Sequence, residues 1–245
     1  MEISGIQEGL LKSYLAYLVE RPCQRKEGYL SLNYIRKQLQ VIRKFRRYLA
    51  ESGQESFEVN LKLKGKTTTV KNILTPAEVL RLYEQTAGDL LGLRDKAMLA
   101  LYYGCGLRKG EGISLNVQDV LLDKDLVLVR KGKGYKERLV PLASGNKTDL
   151  ENYLYHSRPY LVGTKTEDAL LLNVNGGRLR EVFRRIQRLK DKADLHKVIG
   201  IYTLRHSIAT HLLRSGMKLE QIQRFLGHSS LESTQIYTHL IDAEL

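Results

Sequence analysis

Residues 201–213 read I-Y-T-L-R-H-S-I-A-T-H-L-L, and residues 226–239 read L-G-H-S-S-L-E-S-T-Q-I-Y-T-H. The first stretch has the apolar spacing of a helix, and it carries Arg205. In the second stretch Gly227 is typical of a helix end, leaving His228 at the junction before the helix that bears Tyr237. The two stretches therefore supply an arginine, a histidine and a tyrosine from neighbouring elements.

Two further motifs lie upstream of these stretches. Residues 106–111 read G-L-R-K-G-E and place Arg108 three residues before Glu111, on the same face of a helix, where the carboxylate can hold the guanidinium. Residues 131–142 read K-G-K-G-Y-K-E-R-L-V-P-L, and strands predicted at about 126–130 and 137–142 make this a hairpin with Lys133 at its tip.

Arg108, Lys133, Arg205, His228 and Tyr237 are the residue types needed to break a phosphodiester without a metal. Guanidinium groups bind phosphate oxygens bidentately. A desolvated lysine can give a proton to the departing oxygen near neutral pH. A tyrosine, whose free pKa is about 10, can be the nucleophile when the site activates its hydroxyl.

The five patches, in this order, resemble the tyrosine recombinases of the phage integrase family, in its Xer-like branch. Arg205 precedes His228 by 23 positions and His228 precedes Tyr237 by 9, as in the family. The resemblance is strong over about residues 73–240. It implies a mainly α fold with a small antiparallel β-sheet or hairpin (α+β), as in type IB topoisomerases, plus a short helical N-terminal domain.

The resemblance also implies a mechanism. Tyr237 attacks one strand of duplex DNA to form a 3′-phosphotyrosyl bond, while Arg108, Arg205 and His228 stabilise the phosphorane and Lys133 protonates the 5′-oxygen. Neither a metal, a cofactor nor ATP is expected. The implied activity is site-specific recombination (integration, excision or inversion), with the target site, the outcome and cleavage in cis or in trans left open.

One position departs from the family pattern. Tyr202 stands three residues before Arg205, where the family usually has histidine. A tyrosine can donate a hydrogen bond to the scissile phosphate, but it is a poor base at pH 7. We therefore expect phosphate contact from Tyr202 and a slower reaction.

The domain pattern is unequal. We predict a partial helical core-binding domain at residues 1–59, a basic linker at 60–74 and the catalytic domain at 75–245, beginning with a capping box at Thr75. Only two helices, about 6–19 and 32–52, precede the linker, whereas the family's small domain has four or more. Either the protein is naturally short or its N-terminal half is missing.

Basic side chains on three segments are candidate DNA contacts. The linker is rich in lysine, and a helix predicted at 178–190 would lie in the major groove by resemblance, although a basic helix face is also typical of a merely solvated surface. The candidates are Arg36, Arg43, Arg47, Lys64, Lys66, Lys71, Arg178, Arg180, Arg184, Arg185 and Arg188.

Composition agrees with a polyanionic partner. The chain has 40 Lys and Arg against 27 Asp and Glu among 245 residues, a formal charge of +13. No apolar run is long enough for a membrane span, no signal peptide is evident, and the two cysteines do not form a disulfide framework or a zinc pattern. These features favour a cytoplasmic protein.

The expected partner is double-stranded DNA carrying recombination sites, bound by a homotetramer on paired sites. Since eight residues follow Tyr237, where the family usually has a docking helix, we expect a monomer or weak oligomer off DNA. Three alternatives stay open: a type IB topoisomerase-like nickase, a non-catalytic sequence-specific DNA-binding protein, and a basic helical RNA-binding module.

Overall fold

The structure is a computed structural model that describes residues 6–24, 27–54, 56–63, 72–130, 137–164 and 167–227. The chain divides into two compact units, Met1–Val70 and Lys71–Leu245. Six of the candidate site residues lie outside the described residues: Lys64, Lys66, Lys71, Lys133, His228 and Tyr237.

The first unit contains the two predicted helices, α1 (Glu8–Glu20) and α2 (Leu32–Glu51). Helix α2 begins where the Ser31 side chain accepts a hydrogen bond from the Tyr34 amide at 3.2 Å, which satisfies one of the unpaired N–H groups of the first turn. A small apolar core holds the unit together, and its buried members are Leu11, Leu39, Leu49, Phe57 and Leu61.

Two leucines near the ends of the predicted linker, residues 60–74, are buried rather than exposed. Leu61 is buried in the core of the first unit, and Arg43 donates to its carbonyl at 2.6 Å. Leu74 is buried in the second unit, where its amide donates to the Ser207 hydroxyl at 2.8 Å. Burial of these two leucines removes apolar surface from water. The resulting stabilisation favours a packed position for both residues, although the surrounding sequence is rich in lysine.

The second unit is mainly helical. Its first helix begins as predicted, because Thr75 and Glu78 form a reciprocal capping box with distances of 3.2 and 2.8 Å. Its helices are α3 (Pro76–Glu84), α4 (Leu90–Leu99), α5 (Lys109–Ser114), α6 (Ser144–His156), α7 (Arg158–Val162), α8 (Val182–Lys192), α9 (Ile201–Arg214) and α10 (Leu219–Leu226).

A small antiparallel sheet lies within the second unit, with strand order β1 (Val120–Leu121), β2 (Leu126–Val129) and β3 (Arg138–Pro141) among the described residues. Val127 pairs with Val140, and both are buried, whereas Val129 pairs with Arg138. The two predicted strands are therefore confirmed with slightly shorter bounds. The short β1 was not predicted, because two residues carry no alternation pattern.

The core of the second unit forms around α4, whose side chains Ala97, Met98 and Leu99 are buried. The helix changes at Ala100 into a π-helical turn, Ala100–Gly104. The architecture is the expected one, mainly α with a small antiparallel sheet. None of the helices in the described ranges is long and apolar enough to cross a membrane.

Candidate active site and DNA-binding surface

The π-helical turn delivers the chain to Arg108. It closes with a hydrogen bond from the Cys105 amide to the Ala100 carbonyl at 2.8 Å, and the chain then reverses at Gly106, whose φ is +58°. A Cβ at Gly106 would lie 2.9 Å from the Leu226 side chain, so both the backbone angle and the space require glycine. Arg108 follows as the residue that precedes α5.

Glu111 is the centre of the site and is only 4% exposed. Its Oε2 accepts a hydrogen bond from the Arg108 amide at 2.8 Å, and its Oε1 accepts one from the Arg108 guanidinium at 2.7 Å. The carboxylate therefore fixes both the start of α5 and the direction of the Arg108 side chain.

Arg138, at the start of β3, reaches the same carboxylate. Its two terminal nitrogens donate to Oε1 and Oε2 of Glu111, each at 2.9 Å, in the parallel geometry that a guanidinium fork allows. The sequence did not point to a role for Arg138, although this residue stands in the quoted hairpin motif. The signal that could have found it is the pairing of the two strands, which places Arg138 opposite Val129, the buried last residue of β2.

Arg205 on α9 is only 3% exposed. It donates to the carbonyl of Gly106 and, at 2.6 Å, to the carbonyl of Leu226, and it lies 3.9 Å from Glu111 Oε2. Buried arginine is rare unless its charge and donors are matched, and these contacts supply the match.

Arg108, Glu111, Arg138 and Arg205 form what we call the arginine cluster. Each of its arginines also donates to a carbonyl at the end of α10. Arg138 Nε binds the carbonyl of Phe225 at 3.3 Å, Arg205 binds that of Leu226 and Arg108 binds that of Gly227 at 2.8 Å. The C-terminal end of a helix carries partial negative charge, so three cations are stabilised there.

Gly227 ends α10 as predicted, with a φ of +65°. A Cβ at this position would lie 2.8 Å from the Arg138 side chain. The next residue is His228, which lies outside the described residues, as do Lys133 and Tyr237. The arginine cluster thus holds the backbone immediately before one of the predicted catalytic residues.

The electrostatics of the cluster favour an anion. Burial on its own would raise the pKa of the Glu111 carboxyl, but the hydrogen bonds and charge of Arg138 and the hydrogen bonds of Arg108 lower it to about 2. The carboxylate is therefore charged at neutral pH, and three guanidinium groups surround it. Three guanidinium groups against one carboxylate leave an excess of positive charge, which is the sign that a phosphodiester requires.

Tyr202 lies in the first turn of α9, three residues before Arg205, and is 62% exposed. His211, at the other end of the same helix, contacts the Tyr103 hydroxyl and the Leu74 carbonyl, each at 2.9 Å. Burial lowers the pKa of His211. These contacts give His211 a packing and hydrogen-bonding role within the second unit.

The helix predicted at 178–190 begins only at Val182, and two of its arginines face inward. Arg178, ahead of the helix, donates to the carbonyls of Ile113 and Leu115 at 2.7 and 3.0 Å. Arg185 forms an ion pair with buried Asp95. Both arginines donate to acceptors within the protein, which favours a structural role for them over the predicted DNA contact.

Three arginines of the same segment do face solvent. Arg180, Arg184 and Arg188 are spaced four residues apart and are exposed, and we call them the α8 stripe. Arg184 pairs only loosely, with Glu181 at 3.0 Å on the surface. Such surface pairs contribute little to stability, so the stripe keeps its charge for another anion.

The N-terminal candidates are divided in the same way. Arg43 is exposed, but one of its terminal nitrogens donates a hydrogen bond to the Leu61 carbonyl. This contact within the first unit was not predicted from the sequence. Arg47 is exposed on α2, and Arg36 is half-buried. Within the described residues, no group of three His, Cys, Asp or Glu side chains could hold a metal ion.

Comparisons with known proteins agree with this geometry. Residues 72–244 match the phage integrase family. The tyrosine recombinase XerD of Oceanobacillus iheyensis is 41% identical over 216 residues, covering 86% of this chain and 72% of the relative. The XerD of Pseudomonas aeruginosa is 36% identical over 252 residues, covering 100% of this chain and 81% of the relative.

Solved structures share the fold. XerH recombinase bound to its palindromic difH substrate, after cleavage, superposes with a TM-score of 0.75 at 23% identity, over 98% of this chain and 70% of that one. The Tn1549 transposon integrase in complex with circular intermediate DNA gives a TM-score of 0.74 at 21% identity, over 97% and 82%. The chain therefore belongs to the phage integrase family and is an Xer-like tyrosine recombinase.

Proposed function

We propose that this site-specific recombinase cleaves one strand of duplex DNA through Tyr237. The phenol oxygen bonds to phosphorus, the bond to the 5′-oxygen breaks, and Lys133 gives that oxygen its proton. The phenol gives its own proton to a water molecule as the bond forms. Attack by the 5′-hydroxyl of a partner strand then reverses the step and releases the tyrosine, so that neither ATP nor a metal is consumed.

The observation that carries this proposal is the arginine cluster. Arg108 and Arg205 are fixed by Glu111 and by carbonyls of the chain, so their charges are oriented before a phosphate arrives. Preorganised charge of this kind usually contributes the largest part of a rate enhancement. It acts strongly here because Arg205 is 3% exposed and the surrounding dielectric is low.

His228 joins these arginines in the proposal because of its position in the chain. It follows Gly227 directly, and the Gly227 carbonyl accepts from Arg108 at 2.8 Å. We propose that its imidazole contacts the same phosphate. Tyr202, at the exposed N-terminal turn of α9, is proposed as a hydrogen-bond donor to a phosphate oxygen and not as a base.

We assign DNA binding to the α8 stripe and to the first unit. Arg184 and Arg188 lie one turn apart on α8 and Arg180 precedes the helix; all three are exposed, which suits contact with the major groove and the phosphates beside it. On the first unit, Arg36, Arg43 and Arg47 remain proposed contacts, together with Lys64, Lys66 and Lys71 of the linker. The domain limits 1–59, 60–74 and 75–245 are likewise part of the proposal.

The proposed partner is a pair of double-stranded recombination sites, held by a homotetramer that forms on DNA from monomers or weak oligomers. XerH bound to difH substrate and the Tn1549 integrase bound to circular intermediate DNA support DNA as the partner. The reaction would take place in the cytoplasm, where the duplex is found.

The proposal is tested with a trapped cleavage product. Duplexes are first selected from randomised DNA by repeated binding to Tyr237→Phe protein. The selected sequence is then made with a nick beside the scissile phosphate, so that the released fragment diffuses away and the adduct accumulates. On a denaturing gel, wild-type protein should form a protein–DNA adduct and Tyr237→Phe should form none while still binding.

Two results would contradict the proposal: an adduct of equal yield in Tyr237→Phe, or the absence of any adduct with wild-type protein on DNA that it binds. The second result would favour a non-catalytic DNA-binding protein. Relaxation of supercoiled plasmid without exchange between two sites would instead favour a topoisomerase-like nickase.

A further inference from the structure

We propose that Arg138 is a positioning residue for strand cleavage, setting the Arg108 guanidinium through Glu111 and fixing the end of α10 from which His228 starts. This inference rests on the proposed function. Arg138 lies outside the set of residues assigned to the chemistry above. Its role follows from the contacts that one side chain makes to three separate elements.

The first element is α5, reached through Glu111. Each carboxylate oxygen of Glu111 accepts one hydrogen bond from Arg108 and one from Arg138: Oε1 at 2.7 and 2.9 Å, and Oε2 at 2.8 and 2.9 Å. Removal of Arg138 would take away half of these bonds. The carboxylate would then be free to turn toward Arg205, which is 3.9 Å from Oε2, and Arg108 would lose its fixed direction.

The second element is the end of α10. Arg138 Nε donates to the Phe225 carbonyl at 3.3 Å, and its side chain fills the space in which Gly227 has no Cβ. Two residues of chain separate Phe225 from His228. The third element is β3, because Arg138 is the first residue of that strand. Lys133 precedes this strand by five positions in the sequence.

Lysine cannot replace Arg138 in this arrangement. The guanidinium makes two parallel bonds to Glu111 and a third, from Nε, to Phe225, and its side chain is only 12% exposed. An ammonium keeps the charge but has no planar fork and cannot span both directions. Arg138→Lys therefore removes the positioning while it leaves the charge in place.

The experiment measures single-turnover adduct formation at saturating DNA for Arg138→Lys and Arg138→Gln. The matched control is Arg158→Lys, a half-buried arginine whose hydrogen bonds go to the carbonyls of Ala169 and Glu167, outside the arginine cluster. Both Arg138 variants should cleave on the order of 10²-fold more slowly than wild type, the usual cost of a small misplacement. The control should cleave like wild type, and DNA affinity should be unchanged in all three.

A second substrate separates positioning from general damage to the fold. A methylphosphonate at the scissile position removes one negative charge, so the reaction depends less on the Arg108 guanidinium. The ratio of wild-type to Arg138→Lys rates should shrink on this substrate, as it should for Arg108→Ala. An equal ratio on both substrates, or wild-type rates for Arg138→Lys on the phosphodiester, would overturn the inference.

Denaturant unfolding tests the contact between Arg138 and Glu111 without any measurement of DNA cleavage. If wild-type protein formed no adduct, the proposed function would fail, and the catalytic role of Arg138 with it. The structural link would still be tested by denaturant unfolding of Glu111→Gln, Arg138→Gln and the double variant. The structure predicts strong coupling between the two changes, and additive effects would show that the link itself does not hold.

Discussion

The arginine cluster and the α8 stripe use the same residue type under opposite conditions. In the cluster, Arg205 is 3% exposed and its donors meet carbonyls of the chain. In the stripe, Arg184 is exposed and pairs with a surface glutamate, Glu181, at 3.0 Å. The contribution of an arginine to stability and to anion binding therefore depends on which acceptors its guanidinium contacts and on how exposed it is to water.

Substitutions in the two regions should therefore act through different physical effects. In a buried site a misplaced donor is not replaced by water, so geometry decides the effect of a substitution. On an exposed face the charge acts through the counterions of DNA, and geometry matters less.

The largest effect is expected for Arg205→Ala. The change leaves the carbonyls of Gly106 and Leu226 without these donors and removes a charge that faces the phosphate. Cleavage at saturating DNA should fall by on the order of 10³-fold. The free energy of unfolding should fall by about 3 kcal/mol or more, as for other broken buried ion networks. Near-wild-type values in denaturant unfolding and single-turnover assays would remove Arg205 from the site.

Glu111→Gln should have the next largest effect, with a distinct pH dependence. Because folding lowers the pKa of Glu111 from 4.5 to about 2, the carboxylate stabilises the protein by roughly 3 kcal/mol above pH 4.5. That contribution is lost as the pH falls from about 4.5 to about 2. Urea unfolding of wild type and variant should show a stability difference that shrinks over this window. A difference independent of pH would contradict the assignment.

The α8 arginines should separate binding from stability. Arg184→Ala and Arg188→Ala should each reduce the slope of log affinity against log salt by about 0.9, if each neutralises one phosphate. Arg185→Ala should leave the slope unchanged and reduce stability, because it leaves buried Asp95 without that partner. A loss of slope in Arg185→Ala, with stability intact, would return that residue to the DNA surface.

Tyr202→His should raise the rate of cleavage rather than lower it. Restoring the family's usual residue adds a group that can move a proton near neutral pH, and the cleavage rate should rise by at most about 10²-fold. The gain should appear as the imidazole loses its proton, near pH 6.5. A rate that does not change between pH 5.5 and 7.5 would show that this position does not take part in proton transfer.

The sequence predicted the elements whose signals are local. The Thr75 capping box, the helix end at Gly227 and the two strands of the hairpin depend on residues within a few positions of each other, and the structure contains all of them. Arg108, Glu111 and Arg205 were likewise recognised from short motifs, and the structure brings them together.

The missed features depend on residues distant in sequence. Arg185 reaches Asp95 across 90 positions, and Arg178 reaches the Ile113 carbonyl across 65. Arg138 and Glu111 are 27 apart. A periodic basic pattern does not reveal such partners, nor does it reveal that α8 begins only at Val182. The lysine-rich composition of residues 60–74 likewise gave no indication that Leu61 and Leu74 are buried.

The most direct test applies one chemical change to both regions. Arg108→Lys and Arg184→Lys each keep a positive charge and remove the guanidinium fork. Single-turnover adduct formation at saturating DNA should fall by on the order of 10²-fold in Arg108→Lys, the cost of losing one oriented donor, and should stay at the wild-type rate in Arg184→Lys. Equal effects of the two changes, or a larger effect at Arg184, would contradict the account.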